Sequence, residues 1–180
     1  MNLGTPHWYI KDEGRRRIET TKEWDITRNL LSGQKSRRTN VSYFDHVEEG
    51  VKILQELNVP LVIQQAFVIH PLLQGDDALA ENLPHVVYFD PLALVLCMEY
   101  RRVANLGTRK NLRDNGWNIT LSPMAEVNLM LVADKIQNRK LYETKFPKTD
   151  PDYEEIGHYF RVWMDALLIP EYDYQILAAL

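Results

Sequence analysis

The sequence Ala66-Phe67-Val68-Ile69-His70-Pro71-Leu72-Leu73-Gln74-Gly75-Asp76-Asp77 determines how the rest of this chain is interpreted. An apolar run ends in a histidine, a proline follows at once, and an amide and two aspartates come after it. A histidine in the core of a small helical protein usually needs a polar partner or a metal ion. The partner of His70 is therefore expected elsewhere in the chain.

The apolar run has the composition of a buried helix. Pro60 suits the first position of a helix, which is expected to extend from there to His70. Pro71 has no backbone N–H and disfavours helical geometry at the residue before it. We therefore expect the helix to break or kink at His70, and a short separate helix to follow over residues 76–81 and to end by Pro84.

A preceding helix carries a second histidine. Its expected start is a cap formed by Ser42 or Asn40, and its expected end is near Leu57, where Asn58 stops it. One stripe of this helix contains His46, Gly50, Ile53 and Leu57. His46 is therefore expected to point toward the interior.

A later helix places a carboxylate among apolar side chains. Ser122 followed by Pro123 is a start signal, and the helix is expected to reach about Tyr142. Apolar spacing of i, i+3, i+4 and i+7 joins Val127, Met130, Leu131, Asp134, Asn138 and Leu141. A buried carboxylate is costly unless it is paired or bound to a cation. Asp134 therefore also needs a partner.

The remaining segments also favour helices. Further helices are expected over residues 20–31, 90–106, 152–168 and 172–180, with polar loops at 32–40 and 107–121. No strand pair, repeat, glycine-rich phosphate loop or zinc spacing is evident. The sequence predicts an all-α, compact multi-helix bundle forming one domain over residues 1–180, with an N-terminal extension at 1–19 and a short C-terminal helix at 171–180.

Composition excludes several classes of protein. The chain has 180 residues and a formal net charge of −4, which gives no general attraction to nucleic acid or to an anionic membrane. No apolar run approaches the roughly 18 residues of a transmembrane helix. The single cysteine, Cys97, lies in an apolar run and cannot form an intrachain disulfide. A cytoplasmic protein without a membrane partner is expected.

Three helices thus direct His46, His70 and Asp134 toward a common interior. Two imidazoles and a carboxylate suit a divalent cation, and such a cation can activate water for hydrolysis. The alternative is a buried pair in which one histidine donates to Asp134 and no metal is bound. For His70 and Asp134 the two interpretations have about equal weight.

The order of these residues resembles the HD-domain superfamily, in particular its metal-dependent phosphohydrolases that act on deoxynucleotides. The matching segments are Arg38-Thr39-Asn40-Val41 before His46, Ala66-Phe67-Val68-Ile69-His70, and Val132-Ala133-Asp134-Lys135. Together they span roughly residues 20–145. The resemblance implies an HD-like helical fold and a metal site at His46, His70 and Asp134.

Two departures affect the implied reaction. The position after His70 is an aspartate ligand in active members of the superfamily, and here it is Pro71. Four residues after the histidine, the nucleotidase members carry a glutamate that helps to activate water, and here it is Gln74. An amide is not a general base near neutral pH. The candidate catalytic residues are nevertheless Gln74, which occupies the position of the glutamate, and Asp77. Asp76 or Asp77 is the candidate for a substitute carboxylate.

The resemblance also suggests where a ligand would bind. A Trp-x-Ile segment contributes to the base pocket of some members, and Trp24 and Ile26 are its counterparts here. Cationic side chains suited to phosphate complete the candidate ligand site: Arg28, Arg37, Arg38, Lys135 and Arg139. The implied cofactor is either none or a weakly held divalent ion (Mn, Co, Fe, Mg or Zn).

Three functional hypotheses follow. The first is a protein of nucleotide-phosphohydrolase lineage with a degraded metal site, which binds a nucleotide or another phosphorylated ligand. The second is an active phosphohydrolase whose rearranged site uses Asp76 or Asp77. The third is a non-enzymatic partner-binding protein, such as a viral accessory factor. A homo-oligomer built through Tyr172–Leu180 is expected.

Overall fold

The computed structural model describes residues 17–36 and 40–180, and these residues fold into helices. The α-helices are α1 (Lys22–Leu31), α2 (Tyr43–Glu56), α3 (Leu61–Leu73), α4 (Asp76–Asn82), α5 (Pro91–Leu106), α6 (Arg109–Asp114), α7 (Ala125–Lys145), α8 (Tyr153–Ala166) and α9 (Glu171–Ala178). Two 3-10 helices cover Ile18–Thr20 and Leu83–Tyr88. The only extended pairing among the described residues is an isolated bridge between Lys35 and Ser42. The all-α prediction is confirmed.

Capping side chains fix several of the predicted helix starts. The Thr21 hydroxyl accepts from the backbone of α1, and the Ser42 hydroxyl accepts from two N–H groups of α2. Asp90 accepts from Leu92 and Ala93 at the start of α5, directly before Pro91. Side-chain acceptors satisfy amides that have no partner within the helix. These caps confirm the predicted starts of all three helices.

Helix α3 does not end at His70 as predicted, but continues through Pro71 to Leu73. The buried side chains of Leu72 and Leu73 hold this last turn against the core. Its carbonyl groups have donors from outside the helix, because Asn82 donates to Leu72 and Arg101 donates to Leu73. Tertiary packing therefore overrides the local effect of the proline.

Two other boundaries differ from the prediction. Part of the expected loop at 107–121 forms α6. Thr108 caps this helix, and its hydroxyl accepts a hydrogen bond from the N–H of Asn111. Helix α7 begins at Ala125 rather than at Pro123, and Ser122 instead accepts from the N–H of Met124. Both differences concern one or two turns next to a capping hydroxyl. Neither changes which face of α7 is buried.

Helix α3 occupies the centre of the bundle and contacts α1, α2, α4, α5 and α7. It is buried along nearly its whole length after Gln65. Its approach to α2 requires Gly50, since a Cβ atom there would overlap the ring of Phe67. This close crossing brings His46 on α2 next to His70 on α3. No helix in the described ranges is both long and apolar enough to cross a membrane.

Candidate metal centre

Three side chains from three helices converge beside the core. His46 on α2, His70 on α3 and Asp134 on α7 each offer one ligand atom, and these atoms lie within 4.8 Å of one another. The two Nε2 atoms are 3.3 Å apart. Oδ1 of Asp134 lies 3.4 Å from Nε2 of His46 and 3.9 Å from Nε2 of His70. The structure thus brings together the three residues predicted as metal ligands.

The backbone of α3 orients His70. Its Nδ1–H donates to the carbonyl oxygen of Phe67 at 2.5 Å. In a regular helix that carbonyl would accept from the N–H four residues later, which is the position of Pro71. Burial, and then the neighbouring His46, lower the pKa of His70 to about 3. The ring is therefore neutral near pH 7, and its Nε2 lone pair faces the other two ligand atoms.

A glutamine on α7 orients His46. Nδ1 of His46 lies in hydrogen-bond contact with Oε1 of Gln137, whose side chain is fully buried. An amide oxygen only accepts hydrogen bonds, so the Nδ1 atom carries a proton. Nε2 of His46 then presents a lone pair to the site in the neutral ring. Both histidines are thus held through Nδ1 by oxygen acceptors, as ligating histidines commonly are.

Asp134 is buried, and both of its oxygens have partners. Asn138 donates to Oδ1 at 2.8 Å, and the Lys135 ammonium lies 2.8 Å from Oδ2. Burial alone would raise the pKa of Asp134, but the Lys135 charge and the contact with His46 lower it well below its usual range. Burial likewise opposes the charge of Lys135, and Asp134 nevertheless raises the pKa of that ammonium. Asp134 is therefore a carboxylate near neutral pH.

Lys135 sits against aromatic rings. Its Nζ atom lies 4.8 Å from the ring centroid of Trp163 and 5.7 Å from that of Tyr159. A cation over an aromatic face gains electrostatic stabilisation, and the gain is larger when the cation is desolvated. The Asp134–Lys135 pair is therefore a built part of the core rather than a flexible surface contact.

The spacing of the three ligand atoms fits a small divalent cation. Metal bonds of about 2.0–2.1 Å in a tetrahedral site place the ligand atoms about 3.3 Å apart. The separations of 3.3 and 3.4 Å match this value, and 3.9 Å exceeds it moderately. With both neutral rings protonated on Nδ1, no hydrogen atom lies between Nε2 of His46 and Nε2 of His70. His46, His70 and Asp134 could thus hold a divalent ion, with an open position toward the pocket.

A pocket of about 830 Å³ opens onto these residues. His46, His70, Asp134 and Lys135 form one part of its wall, and Gln74 and Asn138 adjoin them. Aromatic and aliphatic side chains form much of the remaining wall, among them Tyr43, Tyr142, Phe146, Ile156, Tyr159 and Phe160. The described cations of the wall, Lys135 and Arg109, are both ion-paired with carboxylates. The pocket combines a polar, ligand-bearing part with an apolar part.

The predicted catalytic residues lie in different surroundings. Gln74 lines the pocket, and its backbone carbonyl accepts from Arg101 and Asn105. Asp76 pairs with Arg101 on the surface, and its side chain is 90% exposed. Asp77 is exposed in the first turn of α4, and neither aspartate lines the pocket. In this conformation no substitute carboxylate from α4 faces the two histidines.

The predicted ligand-binding residues are also dispersed. Of the predicted ligand-binding residues that the structure describes, Lys135 lines the pocket and the others do not. Trp24 is buried with its ring edge-on to Phe44, and Ile26 packs half-buried against the core. Arg28 is exposed, whereas Arg139 pairs with Glu143 and Glu171 and lies over the ring of Tyr174. Arg37 and Arg38 lie outside the described residues.

Sequence reasoning missed the groups that orient the ligands. Gln137 and Asn138 follow Asp134 by three and four residues, so they lie on the same side of α7. That spacing was a usable signal for Asn138, which belongs to the apolar stripe. The role of Gln137 depends on where α2 crosses α7, and the role of the Phe67 carbonyl depends on α3 continuing beyond Pro71. Neither could be obtained from spacing alone.

Comparisons with protein-family models, with curated proteins and with solved structures give no match for this chain. The functional assignment therefore depends on the geometry of the site and on the order of the motifs.

Proposed function

We propose that this protein binds a nucleotide or a related phosphorylated small molecule in the pocket, with a weakly held divalent cation at His46, His70 and Asp134. It would be an HD-type protein of nucleotide-phosphohydrolase lineage whose metal site has lost ligands. The observation that carries the proposal is the convergence of two imidazole lone pairs and one carboxylate oxygen at 3.3–3.9 Å in the wall of a large pocket.

The charge of the pocket supports a phosphorylated ligand that is bound through a metal. Lys135 and Arg109, the cations lining the described part of the wall, are neutralised by Asp134 and Asp152. A divalent ion at the three ligands would supply positive charge that the wall otherwise lacks, and it would act on a phosphoryl oxygen as a Lewis acid. The apolar wall, which includes Tyr142 and Phe160, suits a planar base.

The same residues favour binding over turnover. Pro71 has no side-chain donor atom for a metal, so one ligand of the HD pattern is absent. Gln74 lines the pocket where the pattern has a glutamate, and its amide cannot accept a proton from water near neutral pH. Asp76 is held by Arg101 at the surface. No described carboxylate besides Asp134 lines the pocket.

An active phosphohydrolase is the second candidate, and one observation favours it. Catalytic zinc sites commonly have three protein ligands and an open position, which is the arrangement that His46, His70 and Asp134 provide. A metal-bound water can become nucleophilic without a strong protein base, because the metal lowers the pKa of that water. Turnover at a rate proportional to bound metal would support this candidate.

The test begins with the purified protein and its metal content. Equilibrium dialysis with Mn²⁺, Co²⁺ and Zn²⁺, read by elemental analysis, should give one ion per chain, and His70→Ala should give none. Titration with the four deoxynucleoside monophosphates should give binding that requires the metal, with no release of inorganic phosphate. Release of phosphate would select the second candidate.

A buried ion pair without a metal would give a different result. In that case a protonated His46 would donate to Gln137 and to Asp134, and divalent ions would not bind. The control variant is His85→Ala, because His85 lies in the 3-10 helix Leu83–Tyr88 and does not line the pocket. Failure of the wild-type chain to bind any of the three ions would refute the proposal.

We also propose that α9 takes part in a homo-oligomer. Tyr172, Ile176 and Leu180 follow one another at four-residue intervals and are 72%, 48% and 42% exposed. Tyr172 and Ile176 lie on α9 and Leu180 lies two residues beyond its end, and contiguous exposed apolar side chains mark protein–protein contacts. Light scattering of the wild type and of Tyr172→Ser/Ile176→Ser should show a change from a larger species to the monomer.

A further inference from the structure

We infer that Gln137 is a positioning residue that selects the tautomer of His46 and thereby leaves its Nε2 lone pair available to a cation. The inference rests on the proposed function, because it concerns the same metal site. It adds a group that the motif order does not include. Its first test, however, needs no metal.

The contact between the two side chains requires a proton on Nδ1 of His46. Oε1 of Gln137 faces Nδ1 of His46, and an amide oxygen can only accept a hydrogen bond. The proton of the neutral imidazole is therefore on Nδ1. Nε2 then has a lone pair, which points toward Nε2 of His70 at 3.3 Å and Oδ1 of Asp134 at 3.4 Å.

The orientation of the Gln137 amide is not explained by hydrogen bonding of its Nε2 atom. Nε2 of Gln137 is buried and has no hydrogen-bond partner among the described residues. A half-turn of the amide would instead point its N–H groups at Nδ1 of His46. The imidazole proton would then move to Nε2 and form a hydrogen bond to His70 or Asp134. In that arrangement Nε2 of His46 would have no lone pair for a cation. The orientation of the Gln137 amide therefore determines whether His46 can act as a ligand.

Helix α7 carries both the proposed ligand Asp134 and Gln137, which orients the proposed ligand His46. Asp134 and Gln137 are less than one turn apart on α7, which packs along α2. The same stretch of α7 therefore supplies one ligand directly and orients a second from behind. His70 is held in the equivalent way by the carbonyl of Phe67 at 2.5 Å. Oxygen acceptors behind ligating histidines raise their basicity and fix their orientation.

The first experiment determines the His46 tautomer in the metal-free protein by ¹⁵N NMR of the imidazole nitrogens. The wild type should have the proton on Nδ1. Gln137→Glu keeps an oxygen acceptor and should retain this tautomer, whereas Gln137→Met keeps the side-chain length without an acceptor and should move the proton to Nε2. The control Gln64→Leu removes a glutamine of α3 that donates to the carbonyl of Val59, and it should change nothing at His46.

The second experiment measures the Kd for Mn²⁺ by calorimetry in the same four proteins. Gln137→Met should bind roughly 10–100-fold more weakly than the wild type, which is the usual effect of losing a partner behind a ligand. Gln137→Glu and Gln64→Leu should each have a Kd for Mn²⁺ no more than about three times that of the wild type.

The outcomes separate this inference from the proposed function. A wild-type His46 with its proton on Nε2 would overturn the role of Gln137, and this result is available even if Gln137→Met does not fold. An unchanged Mn²⁺ affinity in folded Gln137→Met would also overturn it. If the wild type binds no divalent ion but the tautomers behave as expected, the proposed function fails and the control of His46 by Gln137 stands.

Discussion

The carbonyl oxygen of Phe67 accepts the Nδ1–H of His70 at 2.5 Å, inside a helix where such a carbonyl normally accepts from the backbone. It is free to do so because Pro71 has no N–H to donate. Pro71, which has no side-chain atom that could ligate a metal, thus also leaves an acceptor for the histidine before it. The missing N–H of Pro71 therefore contributes to the orientation of His70.

Replacing Pro71 with aspartate should strengthen the proposed metal site. Pro71 lines the pocket and follows His70 in a continuous helix, so a carboxylate there would add a ligand of the kind divalent ions prefer. We expect Pro71→Asp to bind Mn²⁺ at least about tenfold more tightly than the wild type, or about 1.4 kcal/mol. Calorimetric titration measures this difference.

The matched control for this change is Pro71→Ala, which introduces the same backbone N–H without a carboxylate. The Phe67 carbonyl has two lone pairs, so it can accept from His70 and from the new amide together. Equal affinities of the two variants for Mn²⁺ would contradict a ligand role for a residue at this position.

The Asp134–Lys135 pair should be important for stability independently of any metal. Asp134→Asn leaves the ammonium of Lys135 buried and unpaired, because that side chain is only 7% exposed. Breaking a buried ion pair from one side typically costs about 3–5 kcal/mol. Urea denaturation should show a loss of this size, and metal binding should be lost as well.

The double variant Asp134→Asn/Lys135→Met distinguishes the two effects. Removing the unpaired cation should recover much of the lost stability, because methionine fills the space of the lysine side chain next to Trp163 without burying a charge. It should not recover metal binding. A double variant that is no more stable than Asp134→Asn would show that the buried charge is not the cause of the loss.

The crossing of α2 and α3 should tolerate no side chain at Gly50. A Cβ atom there would overlap the ring of Phe67, which packs between the helices and contacts His70 with ring centroids 4.6 Å apart. Overpacking of this kind costs about 1–3 kcal/mol. We expect Gly50→Ala to lower the free energy of unfolding by that amount and to weaken metal binding.

The control is Gly75→Ala. The nearest atom to a Cβ at Gly75 would be Cβ of Ala78 at 3.9 Å, an ordinary contact distance. Its effect on stability should lie within about 0.5 kcal/mol. A similar loss in both variants would show that the overlap with Phe67 is not its cause, because alanine by itself lowers the entropy of the unfolded chain and stabilises.

Glu99 should make part of the stability dependent on pH. A hydrogen bond from Arg102, and one from the Ser122 hydroxyl, lower the pKa of Glu99 from 4.5 to about 2 against the opposing effect of burial. A carboxyl group whose pKa is lower in the folded state stabilises above its unfolded pKa, and the contribution is lost as the pH falls through its folded pKa. The window is therefore pH 4.5 down to about 2.

In the experiment, Glu99→Gln is compared with the wild type by thermal and urea unfolding across this window. After allowance for solvent screening of the half-exposed Arg102, we expect a difference of about 1 kcal/mol at pH 7. The difference should shrink between pH 4.5 and about 2. Glu56→Gln, at an exposed position on α2, should give no such trend. A difference that grows on acidification would contradict the assignment.

The sequence was sufficient for the fold class because helical periodicity determines it, and it also indicated that His46, His70 and Asp134 would converge. His46 and Asp134 lie on the apolar stripes of their helices, and the structure places His46 half-buried and Asp134 buried. The prediction was a break or a kink at His70; the break is wrong, because buried leucines and donors from outside the helix outweigh the local effect of Pro71. Gln137 was missed because a polar residue in a helix is usually solvated, and only the crossing of α2 over α7 shows otherwise.

The hydrogen bonds behind the two histidines have a kinetic consequence. His46 and His70 are already held by Gln137 and by the Phe67 carbonyl, so capture of an ion needs no rotation of either ring. Association should then be governed by diffusion into the pocket and should differ little among variants that keep both hydrogen bonds. We expect the differences in affinity between the wild type and its variants to appear mainly in the dissociation rate. Rapid mixing with a metal-sensitive dye would separate the two rates.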